Sequence, residues 1–300
     1  MQKPSKKHHY LPRHYLEGFT DEQGGFFVYD KQQDRIFPSA PGDTFFEKNL
    51  NTMTLPSGKQ SRALEEAYSS VESRSWPTFD QIRGSTAMTA VPYGDLLGLF
   101  LFLLFLHWRL PGNAKYAEQF ADQAFRGEGT PFDYFLIRRE DGAPAPWASL
   151  DALRSSSAFK KSMRILAPFA PFFKDEKWEE DVVNWKFLYS GGTNGWYMVG
   201  DNPIVALGQN DHDPMRCLNE FVFPVSGSIL LVNTKPPITQ GFAPELVVRY
   251  SGALIQRAQR FVASRNEEFL RNIVQYYMMH VIHERQGEMI PNLFASMHGS

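Results

Sequence analysis

Apolar positions along this chain follow a helical period first and a strand period later. Pro12 suits the first turn of a helix, where its missing N–H costs nothing. Tyr15, Leu16 and Phe19 then share one face of a short helix that Gly18 weakens. The segment GFFVYDKQQDRIFPS reads as two short strands around a polar turn. From Ser61 to Arg83 the positions Leu64, Tyr68, Val71, Ser75, Phe79 and Ile82 fall on one helix face. Tyr93–Trp108 predicts a central core helix, closed by Pro111 and Gly112. Its apolar run, Leu96–Leu106, is shorter than the ~20 residues a bilayer span needs. Ala114–Arg126 predicts another helix, and Ala152–Phe173 a weaker one.

Beyond that the pattern turns to strand. NWKFLYS, a turn at Gly191–Gly195 and WYMVGD predict a β-hairpin, which DNPIVAL continues. EFVFPVS and SILLVN predict two more strands, and Gly252–Glu284 one long closing helix. Helices and strands come in blocks, which predicts an α+β fold: a bundle-like helical layer on a small, mostly antiparallel sheet. A single domain over residues 1–300 is expected, with a possible sub-domain seam in the Gly-, Pro- and Asp-rich stretch 127–150.

Composition narrows the function classes only slightly. The 300 residues carry a formal net charge of -2, so no bulk electrostatic pull toward nucleic acid or anionic lipid follows. With one cysteine, Cys217, neither an intramolecular disulfide nor a thiolate zinc site can form. A cytoplasmic protein without a membrane span is expected. No phosphate-binding Gly-rich loop, H-E-x-x-H or G-x-S-x-G motif occurs.

Four segments carry candidate chemistry. In His8-His9-Tyr10-Leu11-Pro12-Arg13-His14, three imidazoles and a guanidinium could bind a metal, hold a phosphate or supply a base. A histidine-rich surface arm would look the same. Glu65 and Glu72 lie nearly two helical turns apart, beside the buried stripe, where carboxylates can share a cation or simply be solvated. His107 lies on the inward stripe, and Arg109 in the last turn complements the helix dipole. Asp201-Asn202-Pro203, after Gly200, is good turn chemistry and also a rigid place to present a carboxylate.

The order HHYLPRHYL, ALEEAYSSVE, HWRLP, GDNPIV and EFVFPVS resembles domain-of-unknown-function family 4238, an uncharacterised and mainly bacterial family. His9, Tyr10, Pro12, Tyr15 and Leu16 match its first element and Glu65 and Glu72 its second. Arg109 and Pro111 match the third, and Asp201, Asn202 and Pro203 the fourth, with Gly200 where the family typically has serine. The resemblance brings no known activity. It implies that the four segments meet in one site.

Two functions are expected from this set. The first is a metal-dependent phosphodiester hydrolase, nuclease-like. In it Asp201, Glu65 and Glu72 hold Mg²⁺ or Mn²⁺, and His9, Arg109 and Asp201 are catalytic. Tyr10, Arg13 and Asn202 bind substrate, with nucleic acid as the partner. One feature speaks against the restriction-type form: the strand after Asp201 reads E-F-V where E-x-K would stand. The second is a non-catalytic protein- or nucleic-acid-recognition module whose His/Asp/Arg/Glu network is structural. Arg257, Arg260 and Arg271, near one face of the closing helix, could then contact phosphates or form a solvated basic face.

Overall fold

The computed structural model describes residues 7–55, 58–85, 91–117, 119, 156–169, 172, 182–190, 195–207, 218–235, 237–238 and 243–298. The expected seam at 127–150, Cys217, and most of the helix expected over Ala114–Arg126 lie outside them.

The fold is α+β. Its centre is a four-stranded antiparallel sheet of β7 (Lys186–Tyr189), β11 (Ile229–Asn233), β10 (Phe221–Ser226) and β9 (Val205–Ala206), in that order. Side chains alternate faces along a strand. Phe221, Phe223, Ile229 and Leu231 enter one apolar core, whereas Val222, Leu230 and Val232 enter a second. Both faces are covered, so β10 and β11 read as continuous apolar runs. The first core is closed by α1 (Arg13–Glu17), α2 (Ala63–Gly84) and α3 (Tyr93–Arg109), with Leu99, Leu103 and Leu106 buried as expected. The helix expected over Ala152–Phe173 is described as α4 (Ser157–Leu166), packed beside α2 and α3. The second core is closed by α5 (Pro244–Arg257), α6 (Glu267–Ile282) and α7 (Met289–Met297).

A second four-stranded antiparallel sheet runs β3 (Arg35–Ser39), β2 (Phe26–Asp30), β12 (Phe261–Ser264) and β8 (Val199–Gly200). β2 and β3 form the hairpin expected from GFFVYDKQQDRIFPS. Two small antiparallel pairs complete the fold: β1 (Lys7–His9) with β4 (Phe46–Lys48), and β5 (Met53–Thr54) with β6 (Gln60–Ser61). Among the described residues no single helix is long and apolar enough to cross a membrane.

Two expectations are corrected. NWKFLYS and WYMVGD are not a hairpin: β7 pairs with β11, and β8 pairs with β12 in the other sheet. Residues 191–194 of the expected turn lie outside the described residues, and the residues on either side meet the β10–β11 turn. Ser190 N–H donates to Ser228 O at 2.9 Å and Tyr197 N–H to Gly227 O at 2.8 Å. A Cβ on Gly195 would come within 2.5 Å of Gly227 O, so this approach requires glycine. The long closing helix is also two helices separated by β12. Ala258 is extended, and Asn266 restarts the helix as an N-cap, accepting from Phe269 N–H at 2.8 Å. Arg257, Arg260 and Arg271 therefore sit on the end of α5, in the turn and on α6, and share no helix face.

Candidate functional site

The N-terminal segment is woven into the body of the fold. Tyr15, fully buried, stacks on Phe223 and donates its hydroxyl to Pro224 O at 2.8 Å. A register shift in β10 between Pro224 and Ser226 lies next to this carbonyl. Arg83, at the end of α2, donates to His14 O at 3.0 Å, Tyr15 O at 2.9 Å and Val225 O at 3.2 Å. One guanidinium thus caps α1 and ties it to the sheet. Sequence reasoning missed Arg83, because nothing local marks an arginine as a cap for a distant helix.

The expected residues gather into two groups. In the first, Arg109 ends α3 and is 6% exposed. Its guanidinium pairs with Glu72, donates to the backbone carbonyl of His9 and lies 4.8 Å from the Tyr68 ring centroid. Burial pushes the Tyr68 hydroxyl up to about 12, while the charges of Arg164 and Arg109 oppose the shift and that of Glu65 adds to it. Glu65, nearly two turns before Glu72 on α2, accepts from the Asn51 side-chain amide. His8 Nδ1 lies 3.3 Å from Glu65 Oε1 but accepts the Asn51 backbone N–H at 2.9 Å. A ring nitrogen accepting that bond has no proton for the carboxylate, so His8 and Glu65 are neighbours through Asn51 and do not form an ion pair. His9 packs its ring on Phe46, with Nε2 buried and unpartnered. Burial lowers the His9 pKa, and the charges of Arg13, Arg109 and Lys7 act the same way. Arg13 is exposed and lies along Gly42. His107 points inward as expected, beside Asn113.

The second group surrounds Asp201, at the end of β8. Its Oδ1 accepts Gln259 N–H at 2.8 Å, and its Oδ2 accepts Arg260 N–H at 2.7 Å and Phe261 N–H at 2.9 Å. In return Asp201 N–H donates to Phe261 O at 2.9 Å. The carboxylate therefore organises the turn that divides α5 from β12. Burial pushes its pKa up, while the three N–H groups and the Lys31 charge oppose that shift. Lys31 itself donates to Ile255 O and Ala258 O at 2.6 Å, capping α5. Asn202 is buried, with Oδ1 unpartnered. At Gly200 a Cβ would lie 3.3 Å from Leu254 Cδ1, so the serine position of the resemblance is here packed closely against α5.

Asp201 also lines a cleft of about 240 Å³ with Tyr10, Phe46, Glu47, Arg260 and Phe261. Arg260 is held by Asp30, Nη2 to Oδ2 at 2.8 Å, and that bond lowers the Asp30 pKa. Tyr10, between His9 and Leu11, is the residue that joins the two groups. The residues lining this cleft do not include Glu65, Glu72 or Arg109. Among the described residues, no group of three or more His, Cys, Asp or Glu side chains is placed to hold a metal ion.

Residues 7–144 match the model of a family described as protein of unknown function (DUF4238). This segment is a DUF4238 region. It contains β1, α1, α2 and α3, and with them His9, Tyr10, Arg13, Glu65, Glu72 and Arg109. Asp201, Asn202 and Pro203 lie beyond the matched residues. No curated protein and no solved structure matches the chain.

Proposed function

We propose that this chain is a non-catalytic recognition module, in which the His/Asp/Arg/Glu network is structural and the cleft beside Asp201 is the binding site. The observation that carries this reading is the occupancy of Asp201. Its two oxygens take three backbone N–H bonds, which leaves it holding a turn. Glu72 and Glu65 are likewise engaged, by Arg109 and Asn51. A metal-bound water needs carboxylates free to ligate, and a general base needs an open path to the substrate proton.

The competing reading is the metal-dependent phosphodiester hydrolase, with Mg²⁺ or Mn²⁺ on Asp201, Glu65 and Glu72 and nucleic acid as substrate. It requires these carboxylates to exchange fold-holding contacts for a metal. Incubating the protein with single- and double-stranded DNA and RNA, with Mg²⁺ or Mn²⁺, separates the two. Recognition predicts no turnover. Cleavage lost on Asp201→Asn, in a variant that melts as the wild type does, would replace recognition with hydrolysis. A cytoplasmic setting is part of the proposal, since Cys217 is the sole cysteine.

A further inference from the structure

We propose that the cleft between Tyr10, Phe46, Glu47, Asp201 and Phe261 binds a guanidinium or primary ammonium group. The inference rests on the reading of this cleft as a recognition site and names its ligand class.

Asp201 and Glu47 both line the cleft, and neither has an ion-pair partner among the described residues. Asp201 is 8% exposed, so its charge is poorly solvated. Backbone N–H groups take three of the roughly four lone-pair sites of a carboxylate, which leaves one on Oδ1. The cations nearest the cleft are committed elsewhere: Lys31 to the end of α5, Lys7 toward Asp43, and Arg260 to Asp30.

A second observation points to a ligand independently. Tyr10 is 4% exposed and lines the cleft. Its backbone N–H donates to Phe45 O at 3.0 Å, whereas its hydroxyl has no hydrogen-bond partner among the described residues. The side chain is thus almost wholly buried while its hydroxyl meets no partner among those residues, so a ligand in the cleft can reach it.

The walls specify the kind of group. Phe46 and Phe261 are aromatic faces, and each already draws a cation of the protein itself: Lys7 Nζ at 4.6 Å and Arg260 Cζ at 4.6 Å from the ring centroids. Aromatic walls with carboxylates that lack an ion-pair partner among the described residues favour a flat or compact cation bearing several N–H donors. An anion would meet Glu47 and Asp201 unfavourably. The group could arrive as a free amine or as an arginine or lysine side chain of a protein.

Isothermal titration calorimetry on the full chain tests this with N-acetyl-arginine amide, its neutral isostere N-acetyl-citrulline amide, and agmatine. The arginine probe should bind about tenfold more tightly than citrulline, the difference one charge-assisted contact makes. Glu47→Gln should remove most of that preference and leave citrulline unchanged. Tyr10→Phe should weaken both probes and leave the melting temperature unaltered. Agmatine matching the arginine probe indicates a free amine, and agmatine binding more weakly indicates a peptide-borne group. Either supports the cation site. Equal binding of arginine and citrulline probes, no binding of either, or indifference to Glu47→Gln would overturn it. None of these results would produce nucleic-acid cleavage, so failure of the cation assignment is distinguishable from failure of the recognition reading.

Discussion

Arg109 donates to the backbone carbonyl of His9 while pairing with Glu72, so the end of α3 holds the N-terminal strand and α2 at once. A guanidinium suits this because its fork serves two acceptors in fixed directions. Removing it strands a mostly buried carboxylate. Arg109→Ala should cost about 3–5 kcal/mol, and Arg109→Lys should recover only part of that. In a double-mutant cycle by urea denaturation, Arg109→Met with Glu72→Gln should be less damaging than the sum of the two single changes. Additive losses would mean that the pair does not act as one unit.

The lowered pKa of His9 fixes the sign of a pH effect. The unfolded chain takes up a proton near the ordinary value of 6.5, and the folded chain only at lower pH. Between those points the unfolded state binds more protons, so stability rises with pH through that window and levels off above it. Acidification from neutral pH to below 6.5 should therefore destabilise the wild type more than His9→Asn. Thermal melts of both proteins across that range check this. Parallel curves would show that His9 does not titrate as its surroundings imply.

The anchoring of α1 predicts where truncation becomes intolerable. Removal of residues 1–6 leaves β1 and every contact of Tyr15 and Arg83 intact, and cooperative unfolding should persist. Removal through Leu16 deletes the stacking on Phe223, the bond to Pro224 and the carbonyls of His14 and Tyr15 that Arg83 caps. That shorter chain should give no cooperative transition by circular dichroism. A well-folded product would show that the segment is dispensable.

Much of the fold was legible because local period and burial agreed. α2 and α3 are long apolar stripes, and Pro12 and Pro92 stand where helices begin. The failures were non-local. Phe261–Ser264 reads as helix between two helical segments, and it becomes a strand because β2 and β8 flank it. The carboxylate that shapes the preceding turn lies far away in sequence, at Asp201. The hairpin failed for the same reason: β7 finds a better partner in β11, buried on both faces, than in its sequence neighbour. At the site, residue chemistry pointed to Asp201, Arg109 and Glu72, all three of which the fold engages. It could not tell whether their partners would be backbone, each other or a ligand. Arg83, Lys31 and Asn51 escaped notice because their roles exist only after the chain has folded.

Asp201 tests the account most directly. If it serves to hold residues 259–261, Asp201→Asn turns one acceptor into an amide donor facing N–H groups that also donate, and leaves buried donors unpaired. The account predicts a loss of about 3–5 kcal/mol in equilibrium unfolding, with hydrogen exchange accelerated at the amides of Gln259, Arg260 and Phe261. A variant of unchanged stability and unchanged exchange at those three amides, which had lost a Mg²⁺- or Mn²⁺-dependent activity of the wild type, would contradict it.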